Sequence, residues 1–129
     1  MDNIQVPISP GELLDKITIL EIKAEQIKDP QKLYNIQTEL NLLNTTWNQS
    51  SLNNDTVQQL KQELRKNNQE LWEIEDKIRI KEANKEFDQV FIELARSVYI
   101  QNDRRAATKK KINQELGSQI IEEKSYADY

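Results

Sequence analysis

Residues 57–78, VQQLKQELRKNNQELWEIEDKI, decide the fold. Val57, Leu60, Leu64, Asn67, Leu71, Ile74 and Ile78 recur here at steps of three and four, the spacing that returns side chains to one face of an α-helix. Most positions between them are Gln, Lys, Glu or Arg, which favour helix. No glycine or proline interrupts the stretch, and none occurs anywhere from Gln31 to Leu116. A sheet needs turn residues every dozen positions or so, and an all-β chain would have nowhere to reverse. The spacing predicts an all-α protein.

Outward from this stripe the same spacing returns. Phe87, Phe91, Leu94 and Val98 are followed by Asn102, Arg105, Lys109, Ile112 and Leu116, with Gly117 placed as a C-cap. The phase shifts between Ile78 and Phe87, and Asn84 and Asp88 suit a reversal. Two helices, 55–83 and 86–116, are therefore predicted around a turn near 82–88. Toward the N-terminus, Asp29-Pro30 ends one helix and starts another, Asp29 as cap and Pro30 at the first helical position. Leu33, Ile36, Leu40, Leu43 and Trp47 mark that helix over 30–48, before an Asn- and Ser-rich loop. Ser9-Pro10-Gly11-Glu12 reads as a capping box with proline at the first position and opens a helix over 10–28. Its apolar residues form two flanks, Leu13, Ile17, Leu20, Ala24 and Ile27 on one and Leu14, Ile19 and Ile22 on the other, so it should be the most enclosed. Residues 1–9 read as an extended arm, and 118–129 as a tail, either a short helix or an extended strap. The expected architecture is a single helical domain over 1–129. It is four-helix bundle-like, with an antiparallel hairpin plus two longer coiled-coil-like helices.

Composition narrows the function. With 31% charged and 36% hydrophobic residues and a net charge of -4, the chain has little with which to fill a compact core. Its long apolar stripes lead us to expect a homodimer. The absence of cysteine and histidine excludes disulfides, Cys or His metal ligands, Ser-His-Asp and Cys-His chemistry, and a histidine switch. No Gly-rich phosphate loop or nucleophile elbow occurs, and no cofactor is expected. The first ten residues carry Asp2 and no Lys or Arg, unlike a signal peptide, and no run approaches the ~18 apolar residues of a membrane span. A cytoplasmic protein without a membrane partner is expected.

The polar residues that interrupt the stripes are the candidates for a site. Asn67 interrupts the third helix, and Asn102, Arg105 and Lys109 the fourth. A reversal near residue 85 would set Asn67 opposite about residue 103, in one layer with Asn102, with Arg105 a turn away and Glu63 or Glu70 flanking. Buried charge must be paired, so this layer requires internal carboxylates or an external anion. Three readings stay open: a device that sets helix register, a pocket for a phosphate- or carboxylate-bearing small molecule, or simple exposure where the helix end protrudes from the bundle. Six basic residues lie between Arg96 and Lys111 against Asp103 alone. Tyr99 is the one aromatic near them, which disfavours a nucleic-acid platform. The competing reading is a small metal-dependent or phosphate-ester-processing enzyme. Glu12 with Asp15, and Glu70 with Glu73, stand one helical turn apart, a spacing suited to Mg²⁺. All-α nucleotide pyrophosphohydrolases carry E-x-x-E and E-x-x-D pairs of this kind, but the order here is reversed.

Three stretches together carry a resemblance: VPISPGELLDKITILEIK (residues 6–23), ELWEIEDKIR (70–79), and FIELARSVYIQNDRRAATKKKIN continuing to GSQIIEEKSY (91–126). Over nearly the whole chain the sequence resembles a family of small uncharacterised helical bacterial and phage proteins, classed as a domain of unknown function. The resemblance brings no activity. Its placement implies that Glu12, Asp15, Arg96, Tyr99, Asn102, Asp103, Arg105 and Lys124 share one surface or pocket.

Overall fold

The computed structural model of the chain describes residues 2–129. Four helices, α1 (Pro10–Gln26), α2 (Pro30–Ser50), α3 (Asp55–Ala83) and α4 (Gln89–Glu115), hold 73% of the chain, and no strand occurs among the described residues. Each starts on a polar side chain that accepts a hydrogen bond from an otherwise unpaired first-turn amide. Ser9 accepts from the Glu12 amide at 3.1 Å, Asp29 from Lys32 at 2.9 Å, Asn54 from Val57 at 2.9 Å and Asp88 from Phe91 at 3.0 Å. Only half of the expected capping box forms at Ser9, because the Glu12 carboxylate is drawn instead to Lys109.

Helix α1 ends two residues before the predicted 28, α2 runs two beyond 48, and α4 begins at Gln89 rather than 86. The late start of α4 follows from how α3 stops. Lys85 adopts a left-handed φ of 55°, its amide donates to the Glu82 carbonyl at 3.1 Å, and the Glu86 amide donates to Lys81 at 3.0 Å. Gly117, with φ 62°, ends α4 in the same Schellman arrangement, the Ser118 amide donating to the Asn113 carbonyl at 2.9 Å. Glycine fits this conformation without a Cβ clash, whereas lysine does not. Lys85→Gly is therefore expected to raise stability by about 0.5–1 kcal/mol, read as a higher urea midpoint with unchanged slope.

Helix α1 is the pivot of the structure, packing against each of the other three, while α2 lies on α1 and α3 pairs with α4. Leu14 and Ile17 of α1, Val57 and Leu64 of α3 and Ile112 of α4 are wholly removed from water. Leu13, Leu20, Ile36, Leu40 and Trp47 complete the cluster. At its N-terminal end α1 touches α4 closely enough for the Gly11 amide to donate to Asn113 Oδ1 at 2.8 Å. A Cβ at Gly11 would stand 2.6 Å from the Lys109 carbonyl oxygen, so this approach requires glycine.

Helix length fixes what is left uncovered. At 1.5 Å per residue α1 spans about 25 Å and α3 about 43 Å. The far part of the α3–α4 pair thus extends beyond α1 as an arm. Residues 116–129 contain neither helix nor strand and run back beside α4 as an extended strap, tied by Glu122 to Lys109 (3.2 Å) and by the Tyr129 hydroxyl to Asp103 (2.7 Å).

Candidate functional site

Asp15, 2% exposed, lies where α1, α3 and α4 meet. Its Oδ2 lies 3.1 Å from Arg105 Nη2 and 3.6 Å from Lys109 Nζ, and its Oδ1 accepts from Asn68 Nδ2 at 2.9 Å. Asn68 Nδ2 also lies 3.0 Å from the Thr18 hydroxyl oxygen, and that hydroxyl donates to the Asp15 carbonyl at 2.9 Å. Lys109 Nζ, itself nearly enclosed, donates to Glu12 Oε2 at 2.7 Å and to Glu122 Oε2 at 3.2 Å. Two cations thus face three carboxylates, and buried charges matched and hydrogen-bonded in this way are tolerated.

Titration of this layer follows from its geometry. Burial pushes the Glu12 carboxyl up, but the hydrogen bond from Lys109 and the charges of Lys109, Lys16 and Arg105 outweigh burial and hold it below the ordinary value. Burial pushes the Lys109 ammonium down. The hydrogen bond to Glu12, the charges of Asp15 and Glu12 and the bond to Glu122 overcome that and hold it above the ordinary lysine value. A lowered carboxyl stabilises above its unfolded pKa and loses that contribution as pH falls through the folded one. A raised ammonium stabilises below its unfolded pKa and loses it as pH rises through the folded one. This pair should therefore contribute fully between about pH 5 and pH 10 and fade at both ends. Urea midpoints against pH are expected to show the acid limb flattened in Glu12→Gln.

The sequence-derived residues separate into groups. Glu12, Asp15, Arg105 and Lys109 converge in the layer just described. Asn67 does not share a layer with Asn102. Instead it accepts from Thr108 Oγ1 at 2.9 Å, more than a helical turn from the expected partner. The carboxylates facing Arg105 and Lys109 come from α1 and the strap rather than from Glu63 or Glu70, and Glu63 lies 3.8 Å from Lys111. The α3 residue in the layer is Asn68, which the sequence reading did not single out. Its partners had a signal: Asp15, Thr18 and Ile22 recur at steps of three and four on an otherwise apolar face of α1.

Glu70 and Glu73 line a shallow depression with Arg65, Lys66 and two glutamines on α3, apart from Glu12 and Asp15. Among the described residues no group of three or more acidic side chains is placed to hold a metal ion.

One groove borders the layer and a second adjoins the first. The larger, about 640 Å³, lies between α4 and the strap and is lined by Tyr99, Asn102, Asp103 and Lys124, with Tyr126 and Tyr129. The Tyr99 and Tyr129 rings meet edge to face, centroids 5.0 Å apart. The Asp103 carboxylate, accepting from the Tyr129 hydroxyl, holds that phenol above its ordinary pKa. The smaller groove, about 280 Å³, has apolar walls of Ile19, Ile22, Leu71 and Trp72, with Asn68, Glu75 and Arg105 at its polar side. Val98 and Asn102 line both grooves and form their shared wall. Arg96 is exposed on α4 beside Tyr99.

Fold and site together define an all-α protein whose central layer pairs its buried cations within the chain and borders one of two adjoining grooves. Residues 4–129 match the family of unknown function DUF6165, and the chain belongs to that family. Comparison with curated proteins and with solved structures gives no match. No helix among the described residues is long and apolar enough to cross a membrane.

Proposed function

We propose that this protein is a non-catalytic helical binding and assembly module, homodimeric, that takes a phosphate- or carboxylate-bearing small molecule at the wall between its two grooves. The observation that carries this reading is Asn102. Half-buried on α4, it lines both grooves, with Arg105 in one and Lys124 in the other. Arg105 lies near Asp15 through one terminal nitrogen and its side chain is 31% exposed, so donors of its guanidinium remain for a second anion. The tyrosine-lined groove has the volume and mixed lining usual for small-ligand sites. An anionic group on Arg105, Asn102 and Lys124, with a flat apolar body along Tyr99 and Tyr126, fits these linings. A homodimer is supported by the apolar stripes of α3 and α4, which keep part of their surface in water along the arm.

The test is a thermal-shift comparison of the parent with Asn102→Ala against phosphate, sulfate, benzoate and phenyl phosphate at constant ionic strength. Asn102→Ala is preferred to an Arg105 variant because Arg105 also neutralises buried Asp15. A bound anion at 100 times its dissociation constant adds about 2.7 kcal/mol to the parent. Asn102→Ala should match the parent without ligand and lose most of that gain. Equal responses of the two proteins to every anion, or no response by the parent, would overturn the proposal.

A further inference from the structure

The stripe that builds the core of α3 changes character along its length. Val57 and Leu64 are 0% exposed, while Leu71, Ile74 and Ile78 on the same face keep part of their surface in water. Between Asn68 and Thr108 no residue of α3, the turn or α4 is buried. The change falls where the cover of α1 ends. At the free end Ile80, Phe87, Val90 and Ile92 are about half exposed, and the Phe87 and Phe91 rings meet edge to face 5.3 Å apart. A compact monomer of 15.2 kDa exposes about 7,100 Å², whereas this chain exposes 9098 Å². The surplus, about 2,000 Å², is shared between the arm and the exposed residues 2–8 and 119–129, and it is more than twice the roughly 800 Å² that each partner contributes to a standard stable interface.

We infer that the α3–α4 arm is the surface on which a second copy of this chain docks, the two arms lying side by side and antiparallel about a twofold axis. This rests on the homodimeric part of the reading above and names the face that it uses. Charge favours a copy over a differently charged partner. From Trp72 to Val98 the arm carries five basic and seven acidic residues, with Glu73, Glu75 and Asp76 at its root and Lys77, Arg79, Lys81 and Lys85 farther out, so an antiparallel copy sets acidic root against basic outer part, while the acidic excess offers little to a polyanion. Symmetry fits as well, because a twofold interface uses one self-complementary patch twice. Antiparallel overlap brings the Phe87–Val90 end of one arm to the Trp72–Val98 root of the other, covering in each copy the seam that α1 leaves open.

The test combines sedimentation equilibrium over roughly 1–100 μM with lysine cross-linking of mixed isotopically light and heavy protein. The parent should be dimeric, and Ile80→Glu/Ile92→Glu should weaken the dimer about 100-fold or more while keeping the parent's circular dichroism. Cross-links between copies should join Lys77, Lys81 and Lys85 of the arms. A monomeric parent would overturn both the dimer and its surface. A parent dimer that the double variant leaves intact would overturn the arm alone. Should the variant misfold, the parent's cross-links decide: bridges confined to Lys32, Lys110 or Lys124 would place the interface elsewhere and overturn the inference.

Discussion

Asp15→Ala is expected to destabilise the protein by about 3–5 kcal/mol, a large fraction of the 5–15 kcal/mol that holds a typical domain together. The carboxylate is buried and serves Arg105, Lys109 and Asn68 together. Its loss leaves Arg105 without its internal anion and Lys109 with Glu12 and Glu122 alone. Removing one member of a buried charge set costs far more than replacing the whole set by apolar groups, because the remaining charge stays away from water. Asp15→Asn keeps an acceptor for Asn68 and should fall between alanine and the parent. Urea denaturation followed by circular dichroism measures both, and a parent-like midpoint for Asp15→Ala would mean that the layer contributes nothing.

Gly11→Ala tests helix contact rather than charge. Helix propensity alone would have this substitution stabilise α1 by up to about 1 kcal/mol, since glycine is a poor helix former. Packing reverses the sign. The new Cβ would stand 2.6 Å from the Lys109 carbonyl oxygen and 2.9 Å from Asn113 Oδ1. The first of these is backbone and cannot turn aside, so α1 must move away from α4 and strain the Gly11 amide bond to Asn113. A loss of about 1–3 kcal/mol is expected, the cost of overpacking, seen as a lower denaturation midpoint. A midpoint above the parent's would show that the two helices do not approach so closely.

Local signals made the fold legible. Ser9-Pro10, Asp29-Pro30 and Gly117 punctuate the chain, and helix-period stripes fill the spans between them, so element number and order followed directly. Asp88 was named for the reversal, and it caps α4. Pairing register was less accessible, because it depends on how many residues the turn consumes. The left-handed Lys85 and the cap at Asp88 delay α4 to Gln89, and Asn67 consequently meets Thr108 instead of a residue near 103. Apolar periodicity also passes over polar residues that are buried because they satisfy one another. Thr18, Asn68 and Asn113 are nearly excluded from water, and each owes its place to a partner far away in sequence or across a turn. The role of Gly11 was hidden for a related reason. At a helix start, glycine reads as part of a capping sequence, and only the position of α4 shows what its missing Cβ makes room for.

The anion site proposed at the wall between the grooves would have a direct signature in solution. Titrating ¹⁵N-labelled protein with phenyl phosphate at constant ionic strength should move the Asn102 side-chain amide and Arg105 Nε signals saturably. The Tyr99 backbone amide should move with them, and Lys61 and Lys85 should stay still. Unmoved Asn102 and Arg105 signals, or shifts that track the exposed lysines Lys110 and Lys111 instead, would contradict it.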